Sequence, residues 1–286
     1  MRYSELQISS DLLDQPQCAA APKKLIICST PRSGSYLLSR HMINAGLGVP
    51  HEYFNPVVIH QMAPRLGLGE RAANLKWWTR GRRDQLGLRR KERAAEADFL
   101  RAYLSILLAR RCQGGVFAAK IHFRDFRRVL DNPIGYDLLD GAVFVHLYRE
   151  DLLKQAVSEH FSQLTGQWGI DGTITTPPAE NPDFFDTEAI ERALVDISEQ
   201  DRGWRVLIAR QGAVPMSISY ERLCEDPFGF VEAIARRIGV DPSTLRRGYS
   251  EAPTAAAPTP GFPDKTEMAQ RYLAAMGARP TTSLQT

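Results

Sequence analysis

Two hydrophobic periods alternate along this chain. The run KLIICS (24–29) is apolar almost throughout and is bounded by turn residues, as expected of a short strand buried on both faces. Directly behind it, GSYLLSRHMINAG sets Leu37, Leu38, Met42 and Ile43 at helical spacing and ends on Gly46. The pattern there predicts strand, loop, helix. A second helical face runs through FLRAYLSILLARRCQ, with Leu100, Leu104, Leu107 and Leu108 on one side and Gly114 and Gly115 as the stop. Two further strands, VFAAKIHF and GAVFVHLY, are separated by roughly a helix's worth of chain. Helical spacing returns over 152–165 and from about Thr187 to Gln211, and the latter leads to the strand VPMSISY. DPFGFVEAIARRIGV reads as an amphipathic helix with Asp226 as N-cap and Pro227 at its first position.

This βαβα alternation predicts an α/β fold with a central parallel sheet flanked by helices in three layers. Residues 1–22 read as an N-terminal arm, 23–275 as one domain with a substrate cap at about 49–98, and 276–286 as a tail. GIDGTITTPPAENPDFFD and SEAPTAAAPTPGFPDK are turn-prone and are expected as loops, the second running over the surface or across a ligand. No internal repeat is apparent.

Composition narrows the class only slightly. The 286 residues are 43% apolar, ample for a core, and a net charge of +3 suits an anionic small ligand without demanding nucleic acid. Cys18, Cys28, Cys112 and Cys224 follow no regular spacing and are read as reduced thiols. The first residues lack the apolar core of a signal peptide, and no apolar run approaches transmembrane length, so a soluble cytoplasmic protein is expected.

The first strand runs into CSTPRSGS, which looks like a phosphate loop with its cation displaced. A nucleotidase loop puts a lysine after its last glycine and a hydroxyl on Mg²⁺. Here Arg32 precedes Gly34, Ser35 follows it, and no apolar strand ends in the acid that would hold a metal. The backbone amides of Ser33, Gly34 and Ser35 at a helix start are expected to cradle an anion, with Arg32 adding charge and a fork of donors. This P-loop-like arrangement fits phosphate chemistry that needs no metal.

Together with VFVHLYREDLLKQAVSEHF, the PRSG loop resembles the sulfotransferases that use 3′-phosphoadenosine 5′-phosphosulfate (PAPS). In particular, the ordered set PRSGS, GVPHEYF, AAKIHF, REDLLKQAVS and RGWR is similar to the bacterial trehalose 2-sulfotransferase family, over roughly residues 24–275. The resemblance implies a loop on the 5′-phosphosulfate, Arg149 and Ser158 clamping the 3′-phosphate, and, by a weaker carry-over, Lys265 closing over it. It also implies Glu52 as general base. The product would be adenosine 3′,5′-bisphosphate (PAP), and the acceptor a hydroxyl of a carbohydrate or glycolipid. Family enzymes of this kind can dimerise, which makes a homodimer compatible with the resemblance.

Sulfuryl transfer requires a base for the attacking hydroxyl, cations on the leaving oxygen and a clamp on the nucleotide. Lys120 and His122 alternate along a strand and so share a face. Animal cytosolic sulfotransferases carry K-T-H at the matching strand end, where the histidine is the base and the lysine assists the sulfuryl group. His122 is therefore a second candidate base behind Glu52, and equally a structural histidine. Tyr53 and Phe54 are expected to desolvate Glu52, raising its pKa, and to meet substrate. Trp168 would stack on adenine or line the acceptor site, or else pack in the core as Trp204 is expected to. Arg149 could instead pair with Glu150 or Asp151, and Ser158 could fill a helix surface. The basic run Arg80 to Arg93 reads most simply as a solvated face. The family's pattern carries an acid where this chain has Val49. Two other classes stay in view: a P-loop kinase or NTPase, and a non-catalytic nucleotide-binding protein of the same fold.

Overall fold

The computed structural model describes residues 8–16, 18, 21–69, 90–168, 185–248 and 264–277. Its strands are β1 (Lys23–Ser29), β2 (Cys112–Gln113), β3 (Val116–His122), β4 (Val143–Tyr148) and β5 (Met216–Ser219). They form one sheet in the order β2-β3-β1-β4-β5. β1 lies parallel to β3 and to β4, and β4 parallel to β5. The expected central parallel sheet is present, and at one edge the two-residue β2 pairs antiparallel with β3. Gly114 and Gly115, at φ 60° and 72°, reverse the chain between them, a turn only glycine adopts without strain.

The alternation of strand side chains builds two cores. Ile26 and Cys28 of β1 join Phe117, Ala119 and Ile121 of β3 on one face. There they meet helices α3 (Arg90–Arg110), α4 (Phe123–Leu130), α5 (Pro133–Leu139) and α7 (Thr187–Arg210), the last supplying the fully buried Trp204. Leu25 and Ile27 face the other way, with Val145, Leu147 and Ile218, against α1 (Ser35–Ala45) and α9 (Pro227–Arg237). The result is three layers, helices on both faces of a mostly parallel sheet. α6 (Leu152–Thr165) packs Ala156, Val157 and Phe161 against α7 and against α10 (Lys265–Ala275).

Other helices are short and begin on local caps. α2 (Pro56–Arg65) starts where the Asn55 side chain accepts from the Val57 amide, and α5 starts the same way on Asn132 and Pro133. α8 (Tyr220–Glu225) follows β5 directly, capped by Ser219. Lys265, expected in a loop, instead opens α10 behind the cap Asp264.

The arm is no loose leader. A 3₁₀ turn over Asp11–Leu13 sits beside Ile8 and Leu13, which are buried with Tyr36, Ile43 and Val49. Arg111, wholly buried, donates to the carbonyls of Ile8 and Ser10 and to Asp14 at 2.9 Å. The arm then runs beside α3, Cys18 N–H donating to the Ala109 carbonyl at 2.7 Å. That return brings the Cα atoms of Cys18 and Cys112 to 6.4 Å, and the pair is disulfide-bonded. The expectation of four reduced thiols therefore fails for this pair; Cys28 and Cys224 are free. Ninety-four residues of separation left no spacing signal to read.

Among the described residues no helix is long and apolar enough to cross a membrane. Residues 80–89 of the basic run, most of both expected loops and the tail from 278 lie outside the described residues.

Candidate active site

The parallel register sets Ser29 at the end of β1 beside His122 of β3 and Leu147 of β4. Three strand ends thus open into one crevice, where ligands gather in such sheets. A cavity of about 790 Å³ occupies it.

The loop between β1 and α1 forms one wall. Arg32 holds a left-handed backbone at φ 63°, and Gly34 follows at φ 85°. A Cβ on Gly34 would lie 2.4 Å from Cδ2 of Tyr220, so both the backbone and the close ring require glycine. Gly34 and Ser35 face the cavity. Ser33 does not: it is buried, its hydroxyl donates to the Thr30 carbonyl at 2.8 Å and its amide turns to the same oxygen. The expected three-amide cradle is therefore shorter by its first member.

Arg32 Nε donates to Ser158 Oγ at 3.1 Å, and its Nη1 donates to the Trp168 carbonyl. Ser158 is buried on α6 and reaches the cavity, and Trp168 lines the same end. Arg149, just after β4, also lines it. Its guanidinium stacks on Tyr220 at 4.7 Å and its acid partner is Glu221 at 3.7 Å, not Glu150 or Asp151. The Arg149 Nε is buried without a hydrogen-bond partner. Lys265 packs over Phe161. Burial, then the Arg32 and Arg149 charges, lowers its pKa to about 8.

Glu52 lines the same cavity, and Lys120 Nζ lies 2.9 Å from its Oε1. His122 Nε2 is 3.8 Å from the same oxygen, buried and without a hydrogen-bond partner. Asn55 donates to Glu52 Oε2 at 3.2 Å while capping α2. The Lys120 amide donates to the His51 carbonyl at 3.0 Å, so the Glu52 segment is laid along β3 like a short extra strand.

Burial pushes the Glu52 carboxyl upward, but the Lys120 ammonium and then His122 outweigh it and hold the group well below the usual carboxylate range. The aromatic neighbours do not raise it, against expectation. Nor do they line the cavity. Tyr53 is fully buried, donating to the Val49 carbonyl at 2.7 Å and accepting from Arg111, and Phe54 packs on Phe126 in the core. A turn begins at Tyr53, closed by the Asn55 amide on the Glu52 carbonyl, and it carries both rings away from the cavity that Glu52 lines. Burial also lowers His122, to about 4, leaving a neutral imidazole at neutral pH.

Several site residues were not anticipated. Ser9 of the arm lines the cavity and lies 2.7 Å from Nε2 of His51. Gln155, Asn55 and Tyr220 also shape the site. Asn-Pro at 55–56 was a readable cap signal. Nothing local in the sequence announces that the arm docks beside the cavity.

A family model described as Stf0 sulphotransferase matches residues 24–257. Two curated proteins named trehalose 2-sulfotransferase are similar. That of Mycobacterium tuberculosis is 30% identical over 100 residues, 35% of this chain and 36% of its own length. That of Mycolicibacterium smegmatis is 25% identical over 244 residues, 77% of this chain and 86% of its own. The match thus spans about a third of one relative and most of the other. Among solved structures, the sulfotransferase domain of the Synechococcus PCC 7002 olefin synthase aligns at TM-score 0.39 and 20% identity, covering 95% of this chain and 94% of that one. Sulfotransferase STF9 of Mycobacterium avium aligns at 0.42 and 14%, covering 90% and 69%. At these scores neither adds to the family match.

Proposed function

The chain belongs to the Stf0 sulphotransferase family, and from that premise we propose that it transfers a sulfuryl group from PAPS to a hydroxyl of a carbohydrate or glycolipid, in line and without a metal. One observation carries the reading. A single cavity is lined both by groups suited to an anion, Arg32, Gly34, Ser35, Arg149, Ser158 and Lys265, and by the cluster of Glu52, Lys120 and His122, suited to take up a proton. The buried, unsatisfied Arg149 Nε and the depressed Lys265 both suit an incoming phosphate.

Bound there, PAPS supplies the sulfuryl group and departs as PAP. The Gly34 and Ser35 turn and Arg32 orient the 5′ end; Arg149, Ser158 and Lys265 hold the 3′ end. Glu52 takes the proton of the attacking hydroxyl as the new oxygen–sulfur bond forms and the bond to the phosphate oxygen breaks. Lys120, beside Glu52, stabilises negative charge on the transferring group and leaving oxygen, the work a metal does in nucleotidases. A Lys120 drawn toward that charge also frees the Glu52 carboxylate to bind a proton. Val57, Val58 and Gln61 of α2 line the cavity together with Ser9, a mixed lining suited to a hydroxylated acceptor with apolar faces. The names of the two curated relatives support a carbohydrate.

Thermal stabilisation by PAP, compared with ATP and Mg²⁺, tests the donor; stabilisation by ATP and Mg²⁺ alone would sink the reading. Glu52→Gln is expected to keep PAP affinity and lose turnover. Full activity in that variant would move the base to His122, whose imidazole is neutral and within the same pocket.

A further inference from the structure

Gln155 is buried at 1% exposure on α6 and is not among the residues that line the cavity. Its amide nevertheless grips the anion loop twice: Nε2 donates to Thr30 Oγ1 at 2.8 Å and to the Pro31 carbonyl at 2.6 Å. The next residue is Arg32, the only non-glycine among the described residues with a positive φ. One turn further along the same helix, Ser158 receives the Arg32 Nε. Residues three apart on a helix share a face. A single face of α6 therefore fixes both the peptide that leads into the strained residue and the guanidinium that this strain projects into the cavity.

We propose that Gln155 is a positioning residue for the sulfuryl donor. Its two donated hydrogen bonds hold the Pro31–Arg32 peptide in the left-handed form, which aims Arg32 at the nucleotide. Without them the Arg32 backbone relaxes to a negative φ, and the guanidinium swings off Ser158 and out of the anion end. Donor affinity then falls although no donor contact has been removed. The assignment rests on the donor reading above and names the device that keeps that end of the cavity in its binding form.

The test is a double-mutant cycle read by PAP binding in calorimetry, using full-length wild type, Q155M, R32G and Q155M/R32G. Q155M keeps length and removes both donors; R32G removes the strained side chain that Gln155 is held to position. The expected result is at least a tenfold loss of PAP affinity in Q155M, with the double variant binding PAP no more weakly than R32G alone. A merely structural glutamine would subtract the same factor in both backgrounds, and that additive outcome overturns the assignment, as does a Q155M affinity within about twofold of wild type. If Q155M does not fold, Q155N, which keeps the amide but withdraws it from the Pro31 carbonyl, takes its place in the cycle with the same two outcomes. Wild-type protein that binds no PAP overturns the donor reading, and this assignment with it; wild-type binding with an additive cycle overturns the assignment alone.

Discussion

Replacing Lys120 by methionine probes the pair at the centre of the proposed chemistry. The Lys120 side chain is 4% exposed and that of Glu52 20%, with nitrogen and oxygen 2.9 Å apart. At an effective dielectric of about 20, Coulomb attraction at that distance is roughly 6 kcal/mol, much of it offset by the cost of desolvating both charges. Removing one partner of a buried pair costs about 3–5 kcal/mol because the other charge is stranded. Glu52 keeps some solvent contact and its hydrogen bond from Asn55, so K120M should lose about 3 kcal/mol near neutral pH, at the low end of that range. The sign with pH follows from Glu52. In the wild type its pKa is depressed, so its stabilising contribution is full above the unfolded carboxylate value and is lost only as pH falls through the lowered folded one. In K120M burial dominates and the folded pKa rises above the unfolded value. The variant's deficit is then largest at neutral pH and shrinks as acid protonates Glu52. E52Q/K120M, with no stranded charge, should be more stable than either single variant and return to within about 1 kcal/mol of wild type. Urea denaturation at pH 7 and pH 5 measures all four proteins. A double variant as unstable as the sum of the singles, or a K120M deficit that does not narrow in acid, would refute the argument.

Lys265 has a pKa of about 8, depressed by burial and by Arg32 and Arg149, and a bound phosphate favours its charged form. PAP binding should therefore take up a proton around that pH and weaken as pH rises further; calorimetry in buffers of different ionisation enthalpy detects the uptake, which K265Q should abolish. Reducing Cys18–Cys112 should cost roughly 2–4 kcal/mol and lower the melting temperature, and the unreduced protein in denaturant should titrate two thiols, Cys28 and Cys224. Gly34→Ala forces a side chain into φ 85° and against Tyr220. It should cost about 1–2 kcal/mol in backbone strain alone and weaken PAP binding by displacing the ring on which Arg149 stacks, as thermal melts with and without PAP will show.

The elements legible in the sequence are those whose burial is carried by an unbroken apolar run or a long helical stripe. β1, β3 and β4 lie inside the sheet, so nearly every position is apolar; α1, α6, α7 and α9 show one face each. β2 was not legible, because two residues carry no period, and its direction is set by Gly114 and Gly115. α4 begins at Phe123, immediately after β3 ends at His122, leaving no turn residue to mark the change. Within the site the sequence brought Lys120, His122 and Glu52 together through strand parity and family pattern, and the geometry joins them. The turn that follows Glu52, closed by the Asn55 amide on the Glu52 carbonyl, carries Tyr53 and Phe54 into the core. Ser33 followed the loop's own turn hydrogen bond instead of the ligand side. Lys265 was misjudged because the proline-rich stretch before it hides a helix whose start is marked only by Asp264.

Val49 shows how a local substitution can report on a distant segment. Against the family's acid at this position, an aliphatic residue suggests a lost contact to acceptor hydroxyls. In the fold Val49 is 1% exposed and packs with Ile8, Leu13, Tyr36 and Ile43, so it does not reach the cavity. A carboxylate there would be buried among apolar side chains and would have to ionise at a cost of several kcal/mol or remain neutral. Valine fits the apolar cluster through which the arm docks. Once docked, the arm satisfies the buried Arg111 through Asp14 and two carbonyls, and Arg111 in turn fixes the Tyr53 hydroxyl directly beside Glu52 in the chain. The arm also carries Ser9 to His51 on the cavity wall. The identity of residue 49 therefore goes with arm docking and not with a contact in the cavity, whose wall receives a polar group from Ser9, some forty positions earlier in the chain.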